Sequence, residues 1–191
     1  MSVPRTLGAL ALSMLTGAAY GETRPIDPER STLTVHVSKS GLLSAFGDNH
    51  TVRAPIASGT VDDGDPARVE LTVNARQMTV LDPDLAPAKR SEVQKRMLGP
   101  EVLDVEKFAE IRFRSTAVKP LAAGRWRVEG TLSLHGRDVP LSFEVTGGNG
   151  QGRGSANVSQ RAFGIEPISV GGGTVKVKDQ LRVDFEIATK R

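Results

Sequence analysis

The 191 residues contain no cysteine. That excludes a disulfide framework, a thiolate metal site and a cysteine nucleophile, and a lipid carried on a processed N-terminal cysteine is not expected. Aromatic residues are scarce, with one Trp, one Tyr and six Phe, or 4% of the chain. Inward positions are instead often Val, Ala or Gly, small residues that fill a barrel less completely. An excess of one charge sign is also missing. Lys+Arg number 25 against 22 Asp+Glu, and basic residues alternate with acidic ones instead of forming a block. This describes a mixed, solvated surface and argues against a nucleic acid partner, in spite of a pI near 9.4. Long apolar runs are absent, with one exception. Thr6 to Thr16 is apolar but too short to span a bilayer; Arg5 precedes it, and small residues follow, ending in Ala19-Tyr20-Gly21. The pattern reads as a signal peptide over 1–21, cleaved after Gly21, with a mature domain over 22–191 that is periplasmic or secreted and has no transmembrane segment.

From Ser31 onward the dominant feature is alternation with period two, the mark of antiparallel strands with one dry and one wet face. Leu33, Val35 and Val37 share a face, opposed by Thr32, Thr34 and His36. Val52, Ala54 and Ile56 form a weaker set, with His50 in phase at its start. Val69, Leu71 and Val73 oppose Arg68, Glu70 and Thr72, and Ile111 and Phe113 oppose Arg112 and Arg114. Trp126, Val128, Leu132 and Leu134 lie in phase, as do Val139, Leu141, Phe143 and Val145. Ala156 and Val158 follow on a small-residue strand, and Val175, Val177, Leu181, Val183, Phe185 and Ile187 read as one long strand. About eight such strands joined by short Gly-, Asp- and Pro-bearing turns fit an antiparallel barrel or a sandwich.

Asp82 to Phe108 breaks the pattern. Pro87 suits a first helical turn, Val93 and Met97 are spaced i, i+4, and Gly99-Pro100 stops the helix and is positioned to open a second short one. Such a crossover is expected to cover one end of a barrel and to gate it. Catalytic signatures are missing. There is no G-x-S-x-G elbow and no H-E-x-x-H, and Gly171-Gly172-Gly173 leads into an alternating strand instead of a helix. The three His sit on separate elements, so a metal site is not expected and no cofactor is implied. His50, near Asp48, admits a head-group contact, a pH-sensitive latch or a structural hydrogen bond at a turn.

Several blocks together carry a resemblance. Asp27-Pro28-Glu29-Arg30-Ser31 leads into a strand. Glu101-Val102-Leu103-Asp104-Val105-Glu106-Lys107-Phe108 runs on into Ala109-Glu110-Ile111-Arg112-Phe113. Gly130-Thr131-Leu132-Ser133-Leu134 ends at His135-Gly136, and Arg161-Ala162-Phe163-Gly164-Ile165 follows later. In this order they resemble the YceI-like family of exported, lipocalin-like barrels that bind polyisoprenoid or other lipids. The family's Arg-Asp-x-His-Leu stretch is replaced by Val93, Gln94, Arg96 and Met97, and Ser44 to His50 departs from the commoner tail-binding pattern, as in a divergent branch. The resemblance implies an all-β, eight-stranded lipocalin-like barrel with a short helical crossover or lid. It also implies non-catalytic binding of a long-chain apolar ligand in the lumen. The contacts would come from Val35, Val37, Val52, Ile56, Leu71, Val73, Phe113, Trp126, Leu132, Leu141, Phe143, Val183 and Phe185, with Phe46, His50 and Phe163 added. Two alternatives stay open: an interaction or stress-response scaffold with a filled barrel, and a His-based metal or enzyme site.

Overall fold

The computed structural model describes residues 21–40, 49–170 and 175–190. The apolar run before Gly21, Phe46, Asp48 and Gly171 to Gly173 lie outside the described residues. The strands are β1 (Thr23–Pro25), β2 (Thr32–Val37), β3 (Lys39–Ser40), β4 (His50–Arg53), β5 (Ile56–Asp62), β6 (Arg68–Asn74) and β7 (Thr79–Val80). Helix α1 (Pro87–Leu98) comes next, followed by β8 (Glu110–Ala122), β9 (Arg125–Leu134), β10 (Arg137–Gly148), β11 (Gln151–Ser159), β12 (Ser169–Val170), β13 (Val175–Val177) and β14 (Gln180–Ala188). Eleven strands form one curled antiparallel sheet, a half-barrel, in the order β1-β5-β6-β8-β9-β10-β11-β14-β2-β4-β7, and β12, β13 and β3 form a second sheet. Among the described residues no helix is long and apolar enough to cross a membrane.

The sheet thus has eleven strands where the alternation counts about eight. Short β1 and β7 add to the edges, and Pro55 splits one extended run into β4 and β5. β4 pairs with β2 and β5 pairs with β6, so this run links the two flanks of the curl. The register of β5 on β6 shifts between Ile56 and Ser58. A bulge of this kind moves the inward face by one residue, from Val52, Ala54 and Ile56 to Gly59 and Val61, which explains the weak alternation there. β8 carries two further shifts against β9, between Ser115 and Ala117 and between Pro120 and Ala122. They turn the inward set from Ile111 and Phe113 to Val118 and bend the sheet around its concave face.

β9 and β10 are joined by His135-Gly136, both with positive φ (51° and 72°), the geometry that suits a two-residue hairpin. The Phe108 ring packs at a tilt against His135, with centroids 4.8 Å apart, and His135 Nδ1 lies 3.2 Å from the Phe163 carbonyl. Three of the sequence blocks singled out above therefore meet at one end of the sheet.

The crossover covers that end. α1 has no buried residue, but Val93, Met97 and Leu98 pack against a core of Val52, Ala54, Val73, Ala75, Met78, Val80, Leu103 and Val105. The second helix expected at Pro100 does not form. The chain instead turns back on the end of α1, where the Leu103 amide donates to Met97 O (3.1 Å) and the Val105 amide to Leu98 O (3.1 Å). These bonds satisfy carbonyls that a helix end leaves open, and they drive Leu103 and Val105 into the core.

The long last strand is also broken. β13 belongs to the small sheet and β14 to the large one, with Asp179 between them. Its carboxylate accepts from the Ser159 hydroxyl (2.7 Å) and the Arg161 amide (2.8 Å). The Ser159 bond first, then the Arg161 amide, hold this carboxyl below the usual carboxylate range. A depressed carboxyl stabilises the fold at pH values above its unfolded pKa, and this contribution is lost as pH falls through the depressed value. Asp179→Asn is therefore expected to lower the melting temperature at about pH 7, with a deficit that shrinks as pH falls below the unfolded carboxylate value of about 3.9. Melting curves of both proteins across this range check it, and a deficit independent of pH counts against the assignment.

Candidate lipid-binding lumen

The concave face of the sheet encloses a cavity of about 530 Å³. Its walls come from alternate residues of the strands. β2 supplies Leu33 and Val35, β6 supplies Val69, Leu71 and Val73, and β9 supplies Trp126, Val128, Leu132 and Leu134. Leu141, Phe143 and Val145 on β10 face Leu181, Val183, Phe185 and Ile187 on β14 across the small residues Gly152, Ala156 and Val158 of β11. Most of these side chains are only half-buried, so they bound a space and do not fill it.

Glycine shapes the wall. The rings of Phe113, Phe143 and Phe185 form a belt, with centroids 5.2 Å apart between neighbours. A Cβ at Gly130 would stand 2.6 Å from the Phe113 ring, and one at Gly154 would stand 2.7 Å from the Phe185 ring. Both outer rings thus lie against bare backbone, which keeps the belt on the wall and out of the centre.

The two ends differ. At the crossover end the lining is Ala54, Met78 and Leu103, with exposures of 3%, 6% and 7%. This is a dry floor. At the other end the lining is Arg24, Asp62, Asp63 and the Gly148 to Gly152 turn, where the charged side chains sit and where Asp63, Gly148, Asn149 and Gln151 are exposed. This is the mouth. The only charged residues among those lining the cavity are Arg24, Asp62 and Asp63, so the walls between floor and mouth carry no charge. Asp62 accepts from the Gly64 amide (2.9 Å) and the Thr23 hydroxyl (3.0 Å). Asp63 accepts from the Glu22 amide (2.8 Å) and from Arg24. The Glu22 bond first, then the Arg24 charge, lower the Asp63 carboxyl.

Ten residues named from the sequence meet in this cavity: Val35, Leu71, Val73, Phe113, Trp126, Leu132, Leu141, Phe143, Val183 and Phe185. Five do not. Val52 and Ile56 are buried outside the lining, at 3% and 8% exposure. Val37 pairs with His50 beyond the floor. Phe163, 2% exposed, packs with Val158 and Ile165, because the short turn after β11 tucks it under the crossover end. His50 does not face the lumen; its Nδ1 lies 2.6 Å from Asp82 Oδ2, while the Thr51 amide donates to Asp82 Oδ1 (2.8 Å). This contact ties His50 to Asp82, outside the lining of the cavity. His36 sits outside with Asp184 at 3.1 Å.

Sequence reasoning missed the floor and the mouth. Gln94 holds the floor, its amide accepting from the Val80 amide (2.8 Å) and donating to Met78 O (2.8 Å). No periodicity marks such a residue. Arg24 was hidden in a three-residue strand, and only the acid-rich Asp62 to Asp65 turn hinted at a partner.

Comparison with known proteins gives a consistent answer. A UPF0312 protein of Pseudomonas putida is 29% identical over 152 residues, covering 78% of this chain and 75% of the relative. A UPF0312 protein of Yersinia enterocolitica is 29% identical over 144 residues, with 73% and 67% covered. Among solved structures, BcnA of Burkholderia cenocepacia superposes with a TM-score of 0.63 at 14% identity, covering 86% of this chain and 99% of that one. A polyisoprenoid binding domain from Saccharophagus degradans, implicated in plant cell wall breakdown, gives 0.55 at 15% identity, with 91% and 98% covered. These two likenesses establish the fold. The model of the YceI-like domain matches residues 25–189, and with that match across nearly all of the described sheet, the chain belongs to the YceI-like family.

Proposed function

We propose that this protein binds a long-chain apolar ligand, a polyisoprenoid or another lipid, in the lumen of its sheet, and that it does so by burial without chemistry. The observation that carries this reading is the cavity of about 530 Å³ whose walls bear no charged side chain between floor and mouth. Its size falls in the range of small-molecule sites. Each methylene moved from water into such walls contributes about 0.8 kcal/mol, so a long chain binds without directed hydrogen bonds. The Saccharophagus polyisoprenoid binding domain, which shares the fold, supports the same class of ligand. We further propose export, with processing after Gly21. The new amine of Glu22 would then lie where its nitrogen already stands, 2.8 Å from Asp63 Oδ1.

One experiment addresses both points. Protein recovered from the exported fraction is sequenced from its N-terminus, then extracted with organic solvent and analysed by mass spectrometry. A sequence starting near Glu22 and a stoichiometric long-chain lipid are expected. Retention of the first 21 residues in exported protein overturns the processing. Folded protein that yields no lipid and takes none up from added lipid overturns the binding reading.

A further inference from the structure

Beside the mouth lies a second compartment of about 410 Å³, whose lining includes Glu22, Arg24, Arg30, Asn149, Gln151 and Lys190. Arg24, Asn149 and Gln151 line the lumen as well, so the two spaces adjoin across these side chains. The fold fixes this arrangement. The Lys190 amide donates to Pro25 O (2.8 Å) and the Asp27 amide to Ala188 O (2.8 Å), lacing the end of the chain to β1. Lys190 is thereby held in the same compartment as Arg24 and Arg30.

Hydrogen-bonding capacity here is lopsided. The nearby acids already have protein partners: Asp62 accepts from Gly64 and Thr23, and Asp63 from Glu22 and Arg24. Glu22, the acid of the compartment, is 77% exposed at its side chain. The donors are less fully engaged: Arg24 gives one terminal guanidinium nitrogen to Asp63. Arg24 Nε is buried without a hydrogen bond, with Glu22 Oε2 at 3.9 Å. Among the described residues the Arg30 and Lys190 side chains make no hydrogen bond or ion pair, and the Asn149 side chain makes no hydrogen bond. Donors left open beside a greasy tunnel match a molecule with an apolar tail and an acceptor-rich, negatively charged end.

We infer that Arg24, Arg30 and Lys190 form an anion-binding compartment for the head of the ligand, which makes that ligand a long-chain amphiphile ending in a phosphate or carboxylate. This rests on the lumen reading above, and the test keeps the two apart. Hexadecanoate, hexadecanol and inorganic phosphate are titrated separately by calorimetry into delipidated full-length mature protein and into the Arg30→Gln/Lys190→Gln double variant. Hexadecanol reports the lumen, and the acid-to-alcohol ratio reports the compartment. The unaltered protein is expected to prefer the acid by about tenfold or more, with the preference shrinking as salt rises and collapsing in the double variant. The salt dependence gives the same readout if the variant does not fold. Equal affinity for acid and alcohol, or a preference that survives both substitutions, overturns the compartment and leaves the lumen intact. If inorganic phosphate alone binds with the same dependence on Arg30 and Lys190 and displaces no hexadecanoate, the site serves a free anion and the head-group assignment falls. Binding of none of the probes overturns the lumen reading and this one with it.

Discussion

Leu141→Trp is expected to lower the affinity for a long-chain lipid probe at least about tenfold while leaving the circular dichroism spectrum of the sheet unchanged. Leu141 is half-buried and lines the lumen on β10, two residues from the Phe143 ring of the aromatic belt. An indole there has space to enter only where ligand would lie. Excluding two methylenes from burial removes about 1.6 kcal/mol, slightly more than a tenfold change in affinity. Leu71→Trp on β6 fills the space from another wall, and its effect should be similar because Leu71 also lines the cavity. Probe fluorescence titration on both variants is the measurement. Unchanged affinity in two folded, filled variants would put the ligand somewhere other than the lumen.

How much of this was legible beforehand follows from what a period of two can report. Alternation states which side of a strand is dry, and it placed Leu71, Leu132, Leu141, Phe143 and Phe185 together because each lies on a strand without a local register change. It fails where the register changes. The shift at Ile56/Ser58 moves the inward face by one residue, so Val61 lines the cavity although it is out of phase with Val52. Alternation is also silent about height along a strand. Val52 and Val35 are cross-strand partners on one face, yet Val35 lines the lumen while Val52 lies in the core beside the floor. The crossover sets that height, and its position depends on single polar contacts such as Gln94 on β7 and Asp82 on β4. The mouth was illegible for a related reason: Arg24, Asp63, Gln151 and Lys190 come from distant parts of the chain and meet only when β1 is laced to the end of β14.

The crossover also decides the largest expected effect on stability. Leu103 is 7% exposed, packs with Val52, Val73, Met78 and Val105, and forms part of the floor. Leu103→Ala removes its burial and opens a void that joins the lumen, a change that costs about 3 kcal/mol in well-packed cores. For a domain of this size that corresponds to a fall in melting temperature of roughly 6–12 °C. Leu121→Ala is the control; Leu121 is 43% exposed, so the change should be near zero. The same pair separates a gate from a plug. If ligand left past the crossover, weakening its anchor would speed lipid release in step with the lost stability. The polar, exposed lining lies at the opposite end, between Arg24 and the Gly148 to Gly152 turn, and the crossover end is sealed by buried Met78 and Leu103. Release is therefore expected to stay at the unaltered rate in Leu103→Ala even though the fold is weaker. Thermal melts and stopped-flow lipid exchange on the same samples decide it. A large loss of stability with unchanged exchange identifies a plug, whereas exchange accelerated about a hundredfold, as 3 kcal/mol would produce, identifies a gate.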